Sequence, residues 1–292
     1  MAKSVDLTTL PGWSSLSSGS HNITVVAKAD GYKDSEPSAG VTVTKAFVPP
    51  TDCITFTGES SDFTLRANKV WDGTVEYCTD VTPWTTWDGT EISSHNKKLY
   101  LRGSGNTTFS TDYGLFVLSA KAGCSGNLNT LLDYSNPPTT LSANCFNCMF
   151  YQCTNLTTAP ELPATTLGSR CYRYMFYQCT NLTKAPSLPA TTLAESCYYG
   201  MFAYCSKLTI VPALPATTLT TYCYWGMFSD CSSFKVSKTK TGTYQYAWRI
   251  PTSGTIASTA QGWSSSMLYG TGGTFTSAPS INTTYYIENA PV

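Results

Sequence analysis

The chain carries little charge. Of its 292 residues only 12% are Asp, Glu, Lys or Arg, and 18 basic side chains balance 18 acidic ones. That is about half the usual charged share. It leaves neither a basic stripe for nucleic acid nor an acidic tail, so a nucleic-acid partner is not expected. Apolar runs are short as well, and none approaches the ~20 residues that cross a bilayer as a helix, so membrane insertion is not expected. Histidine is nearly missing, with His21 and His95 alone. Catalysis by a nucleophile and a base usually draws on histidine. Neither of these lies near a Gly-x-Ser-x-Gly turn or a cysteine with an activating neighbour. Asp72 and Asp88 can be offered as a glycosidase carboxylate pair. Their shared Trp-Asp-Gly-Thr setting reads instead as turn chemistry. The sequence therefore predicts a protein that is not an enzyme, with no catalytic residues and no cofactor.

What the chain does have is a repeat. One phrase, Cys145-Phe-Asn-Cys-Met-Phe-Tyr-Gln-Cys153, returns from Cys171, Cys197 and Cys223 at a constant spacing of 26 residues. A second phrase lies between the copies, Leu156 to Leu167, then Leu182 to Leu193, then Leu208 to Leu219. A fixed period of this length predicts stacked units, each unable to bury its apolar face without its neighbours. Cys171, Met175 and Cys179 fall at helical spacing, which predicts a short helix. Pro186 and Pro189 exclude helix in the linker, which predicts a short strand and a corner. Upstream, Pro137 and Leu141 match Pro163 and Leu167 as a degenerate half-unit. Downstream, Phe234 fills the leucine slot once more before Lys240 ends the pattern.

Eight of the twelve cysteines occupy equivalent repeat positions, which predicts buried free thiols in ladders rather than a disulfide scaffold. Cys145 and Cys148 form a lone CxxC with no second pair to complete a tetrahedral zinc site, so no metal is expected. Five Asn-x-Ser/Thr sequons, at Asn22, Asn106, Asn155, Asn181 and Asn282, read as Thr-rich composition.

The stretch MFYQCTNLTKAPSLPATTLAESCYYGMF resembles the BspA-like leucine-rich repeats of surface proteins from gut anaerobes and their phages. The resemblance is close over residues 137–234 and looser at Lys97–Gly105 and over the last fifty residues. It implies interaction at a virion or cell surface rather than catalysis, and it names no ligand. The opening MAKSVDLTTL lacks the apolar core of an export signal, so the chain is expected to be made in a host cytoplasm and to reach a virion surface. The alternative is a bacterial cell-surface protein with its leader trimmed.

Four regions are expected. Residues 1–46 read as a partial immunoglobulin-like β segment, with strands from His21 to Lys28 and from Gly40 to Lys45 around an Asp30-Gly31 turn. Half a sandwich leaves edges to be covered, so this segment is expected to attach to another virion protein or to assemble sister chains into a trimer or other closed oligomer. Residues 47–136 read as a β-rich N-terminal cap, with hairpins at Trp71–Thr74 and Trp87–Thr90. Residues 137–234 form the leucine-rich-repeat solenoid of strand–turn–short-helix coils, and residues 235–292 a β-rich C-terminal cap. The expected fold class is mainly β.

Aromatic residues carry the positive signal. Phe146, Tyr172, Tyr198 and Tyr224 share one repeat slot and are expected to pack between coils. Tyr174, Tyr177, Tyr199, Tyr204 and Trp225 sit in other slots and are the candidate ligand face, because Tyr and Trp give large contact area at low entropy cost. The expected partner is a cell-surface glycan or protein. The expected role is a fibre or decoration protein displaying this face, ahead of a bacterial adhesin and, last, a glycan-active enzyme.

Overall fold

A computed structural model describes residues 33–45, 47–68, 70–110, 112–250 and 264–292, together with 262 and positions 7, 12, 13, 16, 19–24, 26, 28 and 30. The described chain is mainly β. Its described residues include fourteen strands in four sheets and a short 3₁₀ turn, Leu128–Leu131. In the first region β1 (Gly19–Ile23) pairs antiparallel with β2 (Val41–Lys45), from Gly19 opposite Lys45 to Ile23 opposite Val41. The expected first strand is thus shorter, ending at Ile23 rather than Lys28. Gly31 of the expected turn lies outside the described residues.

Residues 47–136 contain two sheets. β3 (Ile54–Gly58), β5 (Thr74–Cys78), β6 (Thr85–Thr86), β8 (Lys98–Ser104) and β10 (Ala122–Ser125) form the larger, in the order β10-β3-β8-β5-β6. β4 (Thr64–Ala67), β7 (Ile92–Ser93) and β9 (Phe116–Leu118) form the smaller, in the order β7-β4-β9. The two Trp-Asp-Gly-Thr turns are not hairpins. The first joins β4 to β5 and the second β6 to β7, so each carries the chain from one sheet to the other. The reason is the tryptophans. Trp71 and Trp87 are buried and stack on each other with ring centroids 5.5 Å apart, so burying them together outweighs local strand pairing. Of the two aspartates only Asp88 caps its own turn, accepting from the Thr90 N–H and hydroxyl, whereas Asp72 accepts from the N–H and hydroxyl of the distant Thr107.

In the repeats the expected helix is absent. Each Cys-to-Cys phrase is a chain of consecutive tight turns, and its backbone alternates between two kinds of partner. Asn147, Met149, Tyr151 and Cys153 donate to the carbonyl three residues back. Phe146, Cys148, Phe150 and Gln152 donate instead to Cys171, Arg173, Met175 and Tyr177 of the next unit, at 2.7–2.9 Å. The same alternation repeats from Tyr172 to Cys197 and from Tyr198 to Cys223. Every fourth residue is left-handed, as at Arg170 (φ 59°), Tyr174 (φ 54°) and Gln178 (φ 58°). A helix directs its N–H groups along its own axis. Here half of them point to the neighbouring unit, and that sideways ladder outweighs the local helical preference. The linkers make isolated parallel bridges, Thr140 to Thr166 to Thr192 to Thr218 and Lys184 to Ile210, rather than the strands expected.

Packing follows the period. The Leu156/182/208, Leu162/188/214 and Leu167/193/219 rows are buried, as are the four Met–Phe pairs. Phe146, Tyr172, Tyr198 and Tyr224 are buried between units with near-parallel rings 5.9–6.0 Å apart. Phe150, Phe176, Phe202 and Phe228 form a second row at 5.4–5.7 Å. Both spacings lie inside the about 4.5–7 Å at which aromatic pairs attract. The rows continue into the residues before the repeats, where Phe109 stacks on Phe146 and Phe116 meets Phe150 at a tilt, with centroids 5.4 Å apart.

The pattern also continues beyond Lys240, where the sequence suggested that it ends. Gly226, Phe228 and Asp230 donate to the carbonyls of Ser265, Met267 and Tyr269, as Gly200, Phe202 and Tyr204 do to Trp225, Met227 and Ser229. Gly262, Ser266 and Gly270 are left-handed at the same four-residue spacing. Met267-Leu268 therefore stands in the place of a fifth Met–Phe pair, displaced by an insertion that contains β11 (Lys235–Ser237) and β12 (Tyr246–Arg249). With β13 (Gly272–Gly273) and β14 (Thr284–Ile287) these form a sheet in the order β12-β14-β11-β13. Trp248 from β12 closes the phenylalanine row against Phe228 and Phe234.

Candidate ligand-binding face

The turn ribbon places its side chains by geometry. The left-handed corner before each methionine or after each Met–Phe pair carries a tyrosine in two places. Tyr174 and Tyr204 occupy such left-handed corners, with φ of 54° and 62°. The five candidate residues come together as one network of rings. Tyr174 meets Tyr199 edge-on at 5.2 Å and Tyr177 at 5.4 Å, Tyr177 meets Tyr204 at 5.2 Å, and Tyr199 stacks on Trp225 at 4.5 Å. Tyr151 extends the network at one end, parallel to Tyr177 at 4.7 Å, and Tyr222 at the other, edge-on to Tyr199 at 6.4 Å. Tyr204 and Tyr222 are 41% and 37% exposed, and the remaining five rings are half-buried. The row crosses four successive units on one side of the stack.

Gly200 is required by this face. A Cβ there would fall 2.4 Å from Cε1 of Tyr174, so the tyrosine ring lies where a side chain would otherwise stand. Burial, together with a hydrogen bond to Tyr199, pushes the Tyr174 phenol up to about 12, so the ring stays neutral at any physiological pH.

A cationic group not anticipated from the sequence joins the aromatic row. The Arg173 guanidinium lies over Tyr174 at 4.6 Å and over Tyr199 at 5.3 Å. A guanidinium attracted to ring faces keeps its N–H edge available for a planar anion. Arg173 occupies the same repeat slot as Asn147, Tyr199 and Trp225. A search for apolar ladders passes over such a position because its chemistry changes from copy to copy.

The other sequence-level candidates resolve into packing. All twelve cysteines are free and buried. Cys179, Cys205 and Cys231 each donate a thiol hydrogen bond to a carbonyl of the preceding unit, of Phe150, Phe176 and Phe202, at 2.9–3.1 Å. Burial pushes the thiols of Cys145 and Cys205 up to about 12 and that of Cys148 up to about 11, the reverse of an activated nucleophile. Among the described residues no three His, Cys, Asp or Glu side chains converge as metal ligands. No helix among them is long and apolar enough to cross a membrane.

Compared with known proteins, the chain matches no protein-family model, no curated protein and no solved structure.

Proposed function

We propose that the protein is a non-enzymatic adhesion component of a phage virion surface, a fibre or decoration protein, and that its repeats form a short solenoid of the BspA-like leucine-rich-repeat type. The observation that carries the reading is the contiguous row of seven aromatic rings, Tyr151 through Trp225, on one side of the stack. Carbohydrate and protein partners both favour such surfaces, since rigid amphipathic rings lose little entropy on contact. The recurrence of the cross-unit hydrogen bonds every 26 residues and the buried leucine rows support the solenoid. The first region supports an anchoring role. β1 and β2 are a two-stranded sheet, marginal by itself in water, and Val41 at its end is 61% exposed. A partner surface or sister chains would complete it.

The test is binding of the whole chain to a panel of immobilised bacterial and host glycans and to intact bacterial cells. Saturable binding to a glycan or cell type, weakened at least tenfold by Tyr204→Ser with Tyr222→Ser, is the expected result. A chain that melts cooperatively and adheres to none of them overturns the reading.

A further inference from the structure

Arg170, Arg173, Glu195, Ser196, Tyr199 and Tyr222 line a cleft of about 300 Å³ at one end of the aromatic row. Its two cations, Arg170 and Arg173, line it together with one carboxylate, Glu195. Elsewhere Arg102 is held by Glu76 and Asp52, and Lys235 by Glu288. Among the described residues no carboxylate stands within ion-pairing distance of Arg170 or Arg173, although Glu195 lies on the same cleft. Arg173 is half-buried, with its guanidinium within 4.6 Å of the Tyr174 ring and 5.3 Å of the Tyr199 ring, so its side-chain freedom is already reduced before any ligand arrives. Arg170 is exposed, and its left-handed backbone (φ 59°) fixes the direction in which its side chain leaves the ribbon. A pre-oriented planar cation beside a second one suits a bidentate carboxylate. The rings of Tyr199 and Tyr222 stand beside it as walls for the apolar face of a sugar.

We propose that this cleft takes the carboxylate of an acidic sugar residue, a sialic or a uronic acid, with the sugar ring against Tyr199 and Tyr222. The proposal rests on the adhesion reading above and narrows its ligand from glycans in general to carboxylated ones. Glu195 opposes the anion and sets the affinity below what two arginines alone would give.

The experiment is calorimetric titration of the whole chain with two matched pairs of probes, 3′-sialyllactose against lactose and trigalacturonate against galactotriose. At least tenfold tighter binding of an acidic probe than of its neutral partner is expected, and the pair showing it identifies the acid. Arg173→Gln should remove most of that preference, while Glu195→Gln, at an exposed position, should strengthen binding severalfold. Equal binding of the acidic and neutral probes overturns the proposal, as does an acid preference unchanged in both variants. Adhesion to glycans or cells without measurable binding of either acid overturns it too, while leaving the adhesive face intact. Absence of adhesion to any glycan or cell removes the adhesion reading itself, and this proposal with it.

Discussion

The backbone N–H of Tyr174 donates to the carbonyl of Tyr199 at 2.8 Å, and the two rings meet edge-on at 5.2 Å. One pair of residues therefore links both layers of the repeat. The backbone ladder alternates between buried positions, such as Phe176 and Met201, and positions whose side chains form the outer face, such as Tyr174 and Tyr199. Tyr174 adopts a conformation that L-residues avoid by roughly 1–2 kcal/mol, and the cross-unit hydrogen bond together with the ring contacts offsets that cost.

Gly200 and Gly226 are equivalent positions with φ of 57° and 58°, yet only Gly200 has the Tyr174 ring against it. Gly226→Ala should cost about 1–2 kcal/mol from backbone strain alone. Gly200→Ala should cost about 1–3 kcal/mol more, because Tyr174 must also move. Denaturant unfolding of both variants measures the difference, and equal losses would show that the ring does not depend on the glycine.

Truncating the buried rows should be expensive. Leu188→Ala should lose about 2–5 kcal/mol and Phe202→Ala about 3–5 kcal/mol, the range for deleted core side chains. Leu268→Ala should fall in the first range as well, since Leu268 is fully buried in the fifth turn ribbon. A loss under 1 kcal/mol at Leu268 would show that the fifth copy does not belong to the stack.

Stability should fall in alkali. Burial raises the Cys205 thiol from 9.0 to about 12 and that of Cys171 further still. The unfolded chain gives up these protons from about pH 9 upward, whereas the folded chain keeps them. The stabilisation is therefore complete below pH 9 and is lost as pH climbs through the folded values, by ~1.4 kcal/mol per thiol per pH unit. The melting temperature should drop steeply between pH 9 and 11, and less steeply in Cys205→Ala. A flat profile would contradict the burial of the thiols. Thiol reagents at pH 8 should meanwhile modify the native protein slowly and all twelve cysteines once it is unfolded.

The two-stranded β1–β2 sheet should act as an assembly device. Light scattering of the intact chain should give a closed oligomer, and removal of residues 1–46 should give a monomer. Monomers in both cases would leave only a different partner for this segment.

The sequence made the unit of this fold plain and its backbone opaque. The 26-residue period placed Leu182, Phe176 and Tyr172 in the core because repeats bury equivalent residues together. It could not separate a short helix from a turn ribbon, because Cys171, Met175 and Cys179 have the same four-residue spacing in both. What decides between them is the sideways ladder from Tyr174 to Tyr199, which no local pattern encodes. The fifth copy was obscured because Thr271 stands in the slot of Cys231 and an insertion breaks the period before Met267. The tryptophans at 71 and 87 misled for a related reason, since their Asp-Gly turns signal a hairpin locally while their rings pair across two sheets. On the outer face, tyrosine repetition located the aromatic row. Arg173 had no counterpart in other copies, and only its position over two rings brings it into view.

The most direct measurement compares binding with folding at the two kinds of aromatic row. Tyr204→Ser with Tyr222→Ser changes the outer face, and Phe202→Ala changes the buried row one layer beneath it. Glycan or cell binding and thermal melting should be recorded for both proteins. If the outer row is a ligand surface, the serine variant loses binding at least tenfold while its melting temperature shifts by a few degrees, and Phe202→Ala lowers the melting temperature while the remaining folded protein still binds. A serine variant that keeps full affinity, or one that unfolds like Phe202→Ala, would mean that the outer tyrosines are packing and that the face has no ligand.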